Sequence, residues 1–568
     1  MENRIAILDS LLTDEDREQL SDIYEPREVL APASDAYRSL CVMPDGEIRC
    51  YGGISRASEP DASRRPVYHA SRDCGLSWKL HYADLDALGC AVQGKSGRWL
   101  ALKYGSDGKL CVRLCDDTAA CDSHSFREIE LPVSLNPCRL PMQLSSGRWL
   151  IAGEYDGHSA VLLSDDDGES WRVVDILKTG KFELKPPHLG PRWENSGLEP
   201  TVVELPDRLV MVLRTSRDNH FSCFSEDGGD SWTKPRRTFF HSTLTNPCLL
   251  KLSDGRIVFF WNNTRPLPEQ DKRKVTPPLS EDEINGVWED VFTNRDANCV
   301  AISDDNMRSW RGFRELCLNR LRNDCDFRSS GAMGSSRDKS VHQFQALELP
   351  CGKIMVHVGQ HELLTRVYIF DINWLYEKSR SEDFRYGLGN LSTQVYVKSL
   401  SGGYRGFTGH CAWNRTNGAL LVPDPVGDFT EALLLRNVDD DRLYNQLQGM
   451  VWNFPAARRG VVRLRCAIGK GGLKISLADH WINPTDPTVL MWAQFGFMLR
   501  GNGVMTDYTI MFDTKAGIAR LATEEQTVAI ARLSADAPYG LCYLHIQTAS
   551  MSGDSEGSLI KSFSMTSE

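Results

Sequence analysis

The chain has 568 residues, of which 25% are charged and 41% hydrophobic, a composition typical of a globular protein and inconsistent with wholesale disorder. Lys and Arg number 65 and Asp and Glu number 76, so the formal net charge is -11. A net acidic chain without a basic block is a poor candidate for binding nucleic acid or an anionic membrane, and an anionic ligand would need a local cluster of Arg or Lys.

The sequence contains no apolar run of about 18 residues that could span a membrane, and its first residues lack the basic start and apolar stretch of a signal peptide. The 17 cysteines have no regular spacing. We therefore expect reduced thiols in a cytoplasmic protein. Because CxxC pairs, HExxH and Gly-rich phosphate-binding motifs are absent, the sequence predicts neither a metal nor a cofactor.

Residues 1–29 are predicted to form an N-terminal helical segment. Thr13 and Asp16 have the spacing of a capping box, in which each residue accepts a hydrogen bond from the other's backbone N–H. This pair predicts the start of a helix at residue 14.

Two motifs recur through the next 350 or so residues, a length that suits a repeat protein. The first motif, Ser-x-Asp-x-Gly-x-Ser-Trp, ends in a Trp that we expect to be buried between strands, and Met307 replaces Gly in its fourth copy. The second motif is a short turn followed by an apolar strand, and it occurs six times. The first motif lies at Ser71–Trp78, Ser164–Trp171, Ser225–Trp232 and Ser303–Trp310, and the second is centred near Gly46, Gly97, Gly147, Arg208, Gly255 and Gly352.

Units of roughly 50–60 residues, rich in turn residues and without a helical period, predict an all-β protein. Six such units predict a six-bladed β-propeller over residues 30–378. The polar residues 379–400 read as a linker. Strand-like runs separated by Gly, Asp and Pro then predict a C-terminal β-sandwich-like domain over residues 401–568.

The first motif is the Asp box, or BNR repeat, and the propeller resembles the sialidase (neuraminidase) superfamily. In that family three arginines hold the carboxylate of sialic acid by charge-assisted hydrogen bonds. The resemblance assigns this role to Arg38 in AYRSLCVMPDG, to Arg214 after LEPTVVELPD, and to Arg295, eight residues before the Ser of the fourth box.

The resemblance also implies a general acid, an Asp that follows an Arg in the loop leaving the first blade. Arg56 and Asp61 match this pattern, so Arg56 is assigned to substrate binding and Asp61 to proton transfer. Glu199 resembles the glutamate that pairs with the nucleophile, and Glu204 on the same hairpin is its rival.

Glu154 and Tyr155 in the third blade correspond to residues that line the pockets for the glycerol and N-acyl groups. The competing interpretation is that this pair is an ordinary polar strand end.

The family's tyrosine nucleophile is not found where the resemblance places it. The last blade has His342, Gln343 and Phe344 at that point, while Tyr368 and Tyr386 fall on later segments. A neutral imidazole can approach an anionic substrate and act as a base near neutral pH. The sequence therefore predicts His342 as the base that activates water.

The resemblance predicts an exo-sialidase-like glycoside hydrolase that cleaves a terminal sugar bearing a carboxylate, a sialic acid or a related ulosonic acid. Such a protein has a carbohydrate partner and neither a nucleic acid nor a membrane partner. Two alternatives remain open. One is another hydrolase or a lyase that acts on uronic-acid glycans, since a fold does not determine an activity. The other is a non-catalytic carbohydrate-binding propeller.

Overall fold

The structure is a computed structural model that describes residues 2–29, 39–51, 64–84, 88, 90–105, 107–117, 123–183, 195–265, 297–318, 342–359, 365–393, 395–398, 411–414, 418–424, 430–438 and 447–568. Within these ranges, no helix has the length and apolar character needed to cross a membrane.

Two short helices begin the chain, α1 (Glu2–Leu11) and α2 (Asp14–Ser21). The Thr13 hydroxyl accepts a hydrogen bond from the Asp16 N–H (3.2 Å), and the Asp16 carboxylate accepts one from the Thr13 N–H (2.9 Å), so the predicted capping box is confirmed. Leu20 is fully buried and belongs to an apolar cluster that includes Ile48 and Ile369 from two different sheets. The helices therefore cover one part of the propeller.

The described strands before residue 372 form six antiparallel sheets. The first sheet has β2 (Ser39–Val42), β3 (Ile48–Tyr51), β4 (Arg64–Ser71) and β5 (Lys79–Asp84), and the second has β6 (Ala91–Gln93), β7 (Trp99–Tyr104), β8 (Leu110–Cys115) and β9 (Arg127–Glu130). The third has β10 (Asn136–Pro137), β11 (Met142–Gln143), β12 (Trp149–Tyr155), β13 (His158–Ser164) and β14 (Arg172–Asp175).

The fourth sheet has β15 (Leu198–Glu204), β16 (Leu209–Arg214), β17 (Asn219–Ser225) and β18 (Arg236–His241). The fifth has β19 (Cys248–Lys251), β20 (Ile257–Asn262), β21 (Ala297–Ser303) and β22 (Arg311–Leu318). The sixth has β23 (Gln345–Glu348), β24 (Lys353–Val358), β25 (Arg366–Asp371) and the N-terminal strand β1 (Arg27–Val29).

The six sheets form a closed ring, because apolar clusters join each sheet to the next and β23, the first strand of the sixth sheet, contacts β2 of the first. The ring is closed by β1, which pairs with β25 in the register Arg27↔Ile369 and Val29↔Val367. The predicted six-bladed β-propeller is therefore confirmed.

Each Asp box forms the turn between the third and fourth strands of its sheet. In the first box, the Ser71 hydroxyl donates to Asp73 (2.7 Å), the Gly75 N–H donates to the Ser71 hydroxyl (2.7 Å) and the Ser77 N–H donates to Asp73 (2.9 Å). The same three bonds recur in the other boxes. Met307 keeps the bond to Ser303 with φ +65°, a strained value for a residue other than glycine.

The expectation that all four Asp-box tryptophans are buried is wrong for three of them. Trp310 is buried, whereas Trp78, Trp171 and Trp232 are half-buried. The indole N–H groups of Trp171 and Trp232 donate to the glycine carbonyls of their own boxes, at 2.9 and 3.1 Å. These bonds hold the rings against the turns at the outer end of the sheets.

Most of the described strands after residue 378 form two facing sheets with an apolar core between them, a β-sandwich. The larger sheet contains β26 (Ser379–Glu382), β30 (Leu420–Pro423), β31 (Glu431–Asn437), β33 (Arg459–Ala467), β36 (Met505–Asp513), β37 (Ile518–Ala522), β38 (Thr527–Arg532) and β40 (Asp554–Ser567). The smaller contains β27 (Leu391–Ser392), β32 (Gly449–Ala457), β34 (Leu473–Ala478), β35 (Phe495–Leu499) and β39 (Leu541–Thr548). Strands β28 (Val395–Lys398) and β29 (Cys411–Asn414) pair separately, and the short helix α3 (Val489–Trp492) follows β34.

The sandwich packs directly on the fourth and fifth blades. One apolar cluster combines Phe259 and Trp261 of the propeller with Trp481 and Tyr543 of the sandwich. The buried Asn453 side chain accepts from the Glu315 N–H (2.8 Å) and donates to a propeller carbonyl. Burial of polar groups without loss of their hydrogen bonds makes this a fixed interface.

Candidate functional site

One end of the propeller collects the candidate site residues. Because neighbouring strands are antiparallel, the beginning of β15 lies beside the end of β16. Glu199 is the second residue of β15 and Arg214 is the last residue of β16. Glu154 lies near the end of β12, and His342 precedes the start of β23. The topology therefore brings these four residues to the same end of the ring.

Glu199 and Arg214 form a buried ion pair in which a guanidinium Nη1–H donates to the carboxylate. Only 9% of Glu199 and 8% of Arg214 is exposed. The Nε–H of Arg214 is buried and has no partner among the described residues. The pair therefore keeps an unused hydrogen-bond donor on its cation.

The backbone at Glu199 is strained. Its φ is +41°, and the register of β15 against β16 shifts between Leu198 and Thr201, as in a β-bulge. A left-handed conformation at a residue other than glycine is stored strain of about 1–3 kcal/mol, and such strain is concentrated at functional sites. The bulge aims the Glu199 side chain at Arg214.

Glu154 is electrostatically coupled to this pair. Burial and, next, the Glu199 carboxylate raise the pKa of Glu154 above its usual range, and the Arg214 charge opposes the rise. Gly153 allows the approach of β10, because a Cβ at this residue would lie 2.8 Å from the Asn136 carbonyl oxygen. The cluster thus combines two carboxylates with one guanidinium.

Tyr155 occupies the next position on β12 and is half-buried. Its ring lies 6.0 Å from that of His158, centroid to centroid. Successive residues of a strand point to opposite faces, so Tyr155 and Glu154 do not share one face of the sheet.

Arg139 is a cation that the sequence analysis did not identify, and it lies near the site, since the neighbouring Cys138 interacts with both Glu199 and Arg214. It lies in the segment that interrupts the first strand of the third sheet between β10 and β11. Its guanidinium donates to the carbonyl oxygens of Pro247 (2.6 Å) and Phe344, which precede the first strands of the fifth and sixth sheets. Arg139 therefore joins three blades across the ring.

His342 is buried, with 1% of its surface exposed, and its carbonyl accepts a hydrogen bond from the Gly359 N–H. The neighbouring Gln343 has φ +70°, and its side-chain oxygen accepts from the Asn246 amide at 2.7 Å. His342 thus lies at the site end of the sixth blade, and its role as a base stays a prediction.

Glu204 and the two alternative tyrosines lie away from the cluster. Glu204 is at the opposite end of β15 and accepts from the Ser145 N–H (2.9 Å) of the third sheet, so it links two blades. Tyr368 lies on β25, the third strand of its sheet, and burial strongly raises its pKa. Tyr386 is 88% exposed and follows β26. Neither tyrosine has the position of an axial nucleophile.

Arg38, Arg56, Asp61 and Arg295 lie outside the described residues, so their assignments stay predictions. Of the nine residues assigned from the sequence, the structure brings Glu154, Glu199 and Arg214 into one interacting cluster.

The fold and the Asp boxes define a six-bladed Asp-box propeller with an attached β-sandwich. Residues 116–326 match the model of a family described as the BNR repeat-like domain. This match supports the resemblance seen in the repeats.

Several solved structures are similar to the chain. Trypanosoma rangeli sialidase in complex with sialic acid is 10% identical, with a TM-score of 0.36 over 96% of this chain and 94% of that one. A mutant of this sialidase that displays trans-sialidase activity is 12% identical, with the same TM-score and coverage. NanB sialidase from Streptococcus pneumoniae is 13% identical, with a TM-score of 0.33 over 62% of this chain and 59% of that one. The comparison with curated proteins finds no match.

Proposed function

We propose that the protein is a glycoside hydrolase that releases a terminal sugar bearing a carboxylate, a sialic acid or a related ulosonic acid. The observation that carries the proposal is the buried Glu199–Arg214 pair with Glu154 beside it. A buried guanidinium with an unused N–H is suited to a carboxylate ligand, because charge-assisted hydrogen bonds are strong in a partly dehydrated site.

In the proposed reaction, Arg214 binds the sugar carboxylate together with Arg38 and Arg295, and Arg56 contacts the substrate nearby. Asp61 protonates the leaving oxygen. The Glu199 carboxylate stabilises the positive charge that develops on the anomeric carbon.

His342 then removes a proton from the attacking water. Attack of water opposite to the leaving group inverts the anomeric configuration. This outcome differs from that of a tyrosine nucleophile, which would give retention through a covalent intermediate.

Glu154 is a second candidate for the proton donor. A general acid must hold its proton near the working pH, and the raised pKa of Glu154 favours the protonated form. If Asp61 is the donor, Glu154 lines the substrate pocket, as the resemblance assigns it together with Tyr155.

The test is incubation of the protein with fluorogenic sialosides and uronides. Release from sialosides supports the proposal. Release from uronides alone replaces it with a uronic-acid hydrolase or lyase, and binding without release from either replaces it with a carbohydrate-binding propeller.

Variants connect the activity to the site. Arg214→Ala should lower kcat/KM at least 100-fold, as expected for the loss of a charged partner in the transition state. Arg236→Ala is the matched control, because Arg236 is exposed at the far end of the same sheet.

NMR of the first-formed anomer tests the role of His342. A retained product with full activity in His342→Ala would reject this mechanism.

A further inference from the structure

A second polar cluster lies away from Glu199, where the sandwich meets the propeller. His241 ends β18 in the fourth blade, while Asp479 and His480 directly follow β34 of the sandwich. All three are at least nine-tenths buried. Because 238 residues separate His241 from Asp479 in sequence, no local motif could reveal the cluster.

The side chains of this cluster converge on one carboxylate. The Nε2 atom of His241 lies 3.1 and 3.2 Å from the two oxygens of Asp479, and the Nδ1 atom of His480 lies 2.7 Å from Oδ1. One atom from each residue lies within 4.8 Å of the other two. The two imidazole rings are 4.2 Å apart, centroid to centroid.

We infer that His241, Asp479 and His480 bind a divalent transition metal of the Zn²⁺ type at the interface between the two domains. Two imidazole nitrogens and one carboxylate oxygen are ligands that Zn²⁺ prefers, and three protein ligands leave a fourth position for water. Ligand atoms of a tetrahedral zinc lie roughly 3.3 Å apart, so the distances of 3.1 and 3.2 Å between His241 and Asp479 nearly fit, and the distance of 2.7 Å between His480 and Asp479 has to open by about 0.6 Å.

The backbone of Asp479 is fixed from several sides. Its N–H donates to the Gln494 side chain (2.9 Å), and its carbonyl accepts from the Asn263 amide (3.0 Å) and the Cys542 thiol (3.3 Å). Such outer contacts hold a metal ligand in place before the metal arrives. Asn263 belongs to the propeller, so both domains contribute to this support.

Two guanidinium groups lie near the cluster, and two carboxylates, Asp218 and Asp479, face them. Arg265 is close to His480 and forms an ion pair with Asp218 at 3.2 Å. Arg237 interacts with both carboxylates and donates to the Asn219 side chain at 2.7 Å.

The Nδ1 atom of His241 is buried without a partner in the described part of the chain. When a metal binds the Nε2 atom of His241, the ring carries its proton on Nδ1. No described hydrogen bond of this ring is then broken other than the one to Asp479.

The first experiment titrates the chelator-treated, full-length protein with Zn²⁺ by calorimetry and thermal melting. The expected result is one saturable site per chain and a Tm that rises with Zn²⁺ concentration, because a ligand that binds the folded state stabilises it. Failure of the folded protein to bind Zn²⁺ would overturn the proposal and leave a hydrogen-bonded His–Asp–His network.

Two variants assign the site. Asp479→Asn keeps the shape of the side chain but removes the anionic ligand, and His241→Gln removes an imidazole. Each should weaken Zn²⁺ binding by at least about 100-fold. His158→Gln is the matched control, because it breaks a His–Asp contact of 3.2 Å within the third blade. Unchanged affinity in folded Asp479→Asn would contradict the proposal.

Co²⁺ provides a readout that does not depend on the variants. Bound Co²⁺ should give the visible bands of a four-coordinate site with nitrogen and oxygen ligands, and Zn²⁺ should displace it. A strong thiolate-to-cobalt charge-transfer band would instead indicate adventitious binding to cysteines, of which Cys351 is exposed, and would reject the site.

Discussion

The Glu199 carboxylate accepts a hydrogen bond from the Arg214 guanidinium between the first two strands of the fourth blade, and both side chains are buried. Removing one member of a buried ion pair leaves an uncompensated charge, which costs about 3–5 kcal/mol. Loss of Arg214 should lower the free energy of unfolding more than loss of Glu199 does. Without Arg214, two neighbouring carboxyl groups, Glu154 and Glu199, have no cation between them.

Arg214→Met should therefore lower the free energy of unfolding by about 3 kcal/mol, and Glu199→Gln by less. The double variant should lose less stability than the sum of the losses in the two single variants, because it has no unpaired buried charge. Urea unfolding measures the free energy of unfolding of the two single variants and the double variant. Arg236→Met is the control and should change the stability by less than about 0.5 kcal/mol. Additive effects of the two substitutions would contradict a direct pairing.

We expect the Glu154 carboxyl to make the stability of the protein depend on pH. Its pKa is raised above the ordinary 4.5, so the protonated form is favoured in the folded state. The stabilisation that this proton provides is full below the unfolded pKa and is lost as the pH rises through the folded pKa.

Glu154→Gln should behave like the permanently protonated residue, so its Tm should exceed that of the wild type more at pH 7 than at pH 4. The measurement is thermal melting across this range. Glu226→Gln, at an exposed residue, is the control. A Tm difference that does not change with pH would contradict a raised pKa of Glu154 in the folded protein.

The repeats predicted the propeller because each Asp box is a local unit, in which the carboxylates of Asp73 and its equivalents accept hydrogen bonds from residues within four positions. Likewise, Glu199 and Arg214 belong to adjacent strands of one hairpin, so their pairing could be anticipated from the sequence. Arg139 could not, because its partners Pro247 and Phe344 are more than a hundred residues away. Nor could the partial exposure of Trp171, because how far a turn is covered depends on the packing of the whole ring.

Asp227 in the third Asp box should contribute to stability above acidic pH. Its carboxylate accepts from the Ser231 hydroxyl, the Ser231 N–H and the Ser225 hydroxyl, and these bonds lower the pKa of Asp227 to about 2. A carboxylate with a depressed pKa stabilises the fold above its unfolded pKa of 3.8 and loses this effect as the pH falls towards 2.

Asp227→Asn should therefore destabilise the protein at pH 6 by about 1 kcal/mol, the usual effect of weakened hydrogen bonds to an exposed carboxylate. At pH 3 the difference from the wild type should be smaller. Glu226→Gln at the adjacent exposed residue is again the control. Equal destabilisation at both values of pH would show that the charge of Asp227 has no part in the turn.

Arg139 connects the site to the stability of the ring. Its guanidinium donates to the carbonyls of Pro247 and Phe344, next to the contact between Asn246 and Gln343. Arg139→Met leaves these carbonyls without their charged donor, and such a loss costs about 1–3 kcal/mol. The substitution also removes the hydrogen bond that holds the backbone at Phe344, two residues after His342. We therefore expect both kcat and the free energy of unfolding to fall.

Lys251→Met is the matched control for Arg139→Met. The Lys251 ammonium donates to the Glu204 carbonyl (2.7 Å) of the neighbouring blade, at the end of the strands opposite to the site. Both substitutions remove a long cation that links blades, but only Arg139→Met should lower kcat on the substrate found in the fluorogenic panel. Equal loss of kcat in the two variants would indicate that blade linkage in general, rather than the position of Arg139, supports the activity.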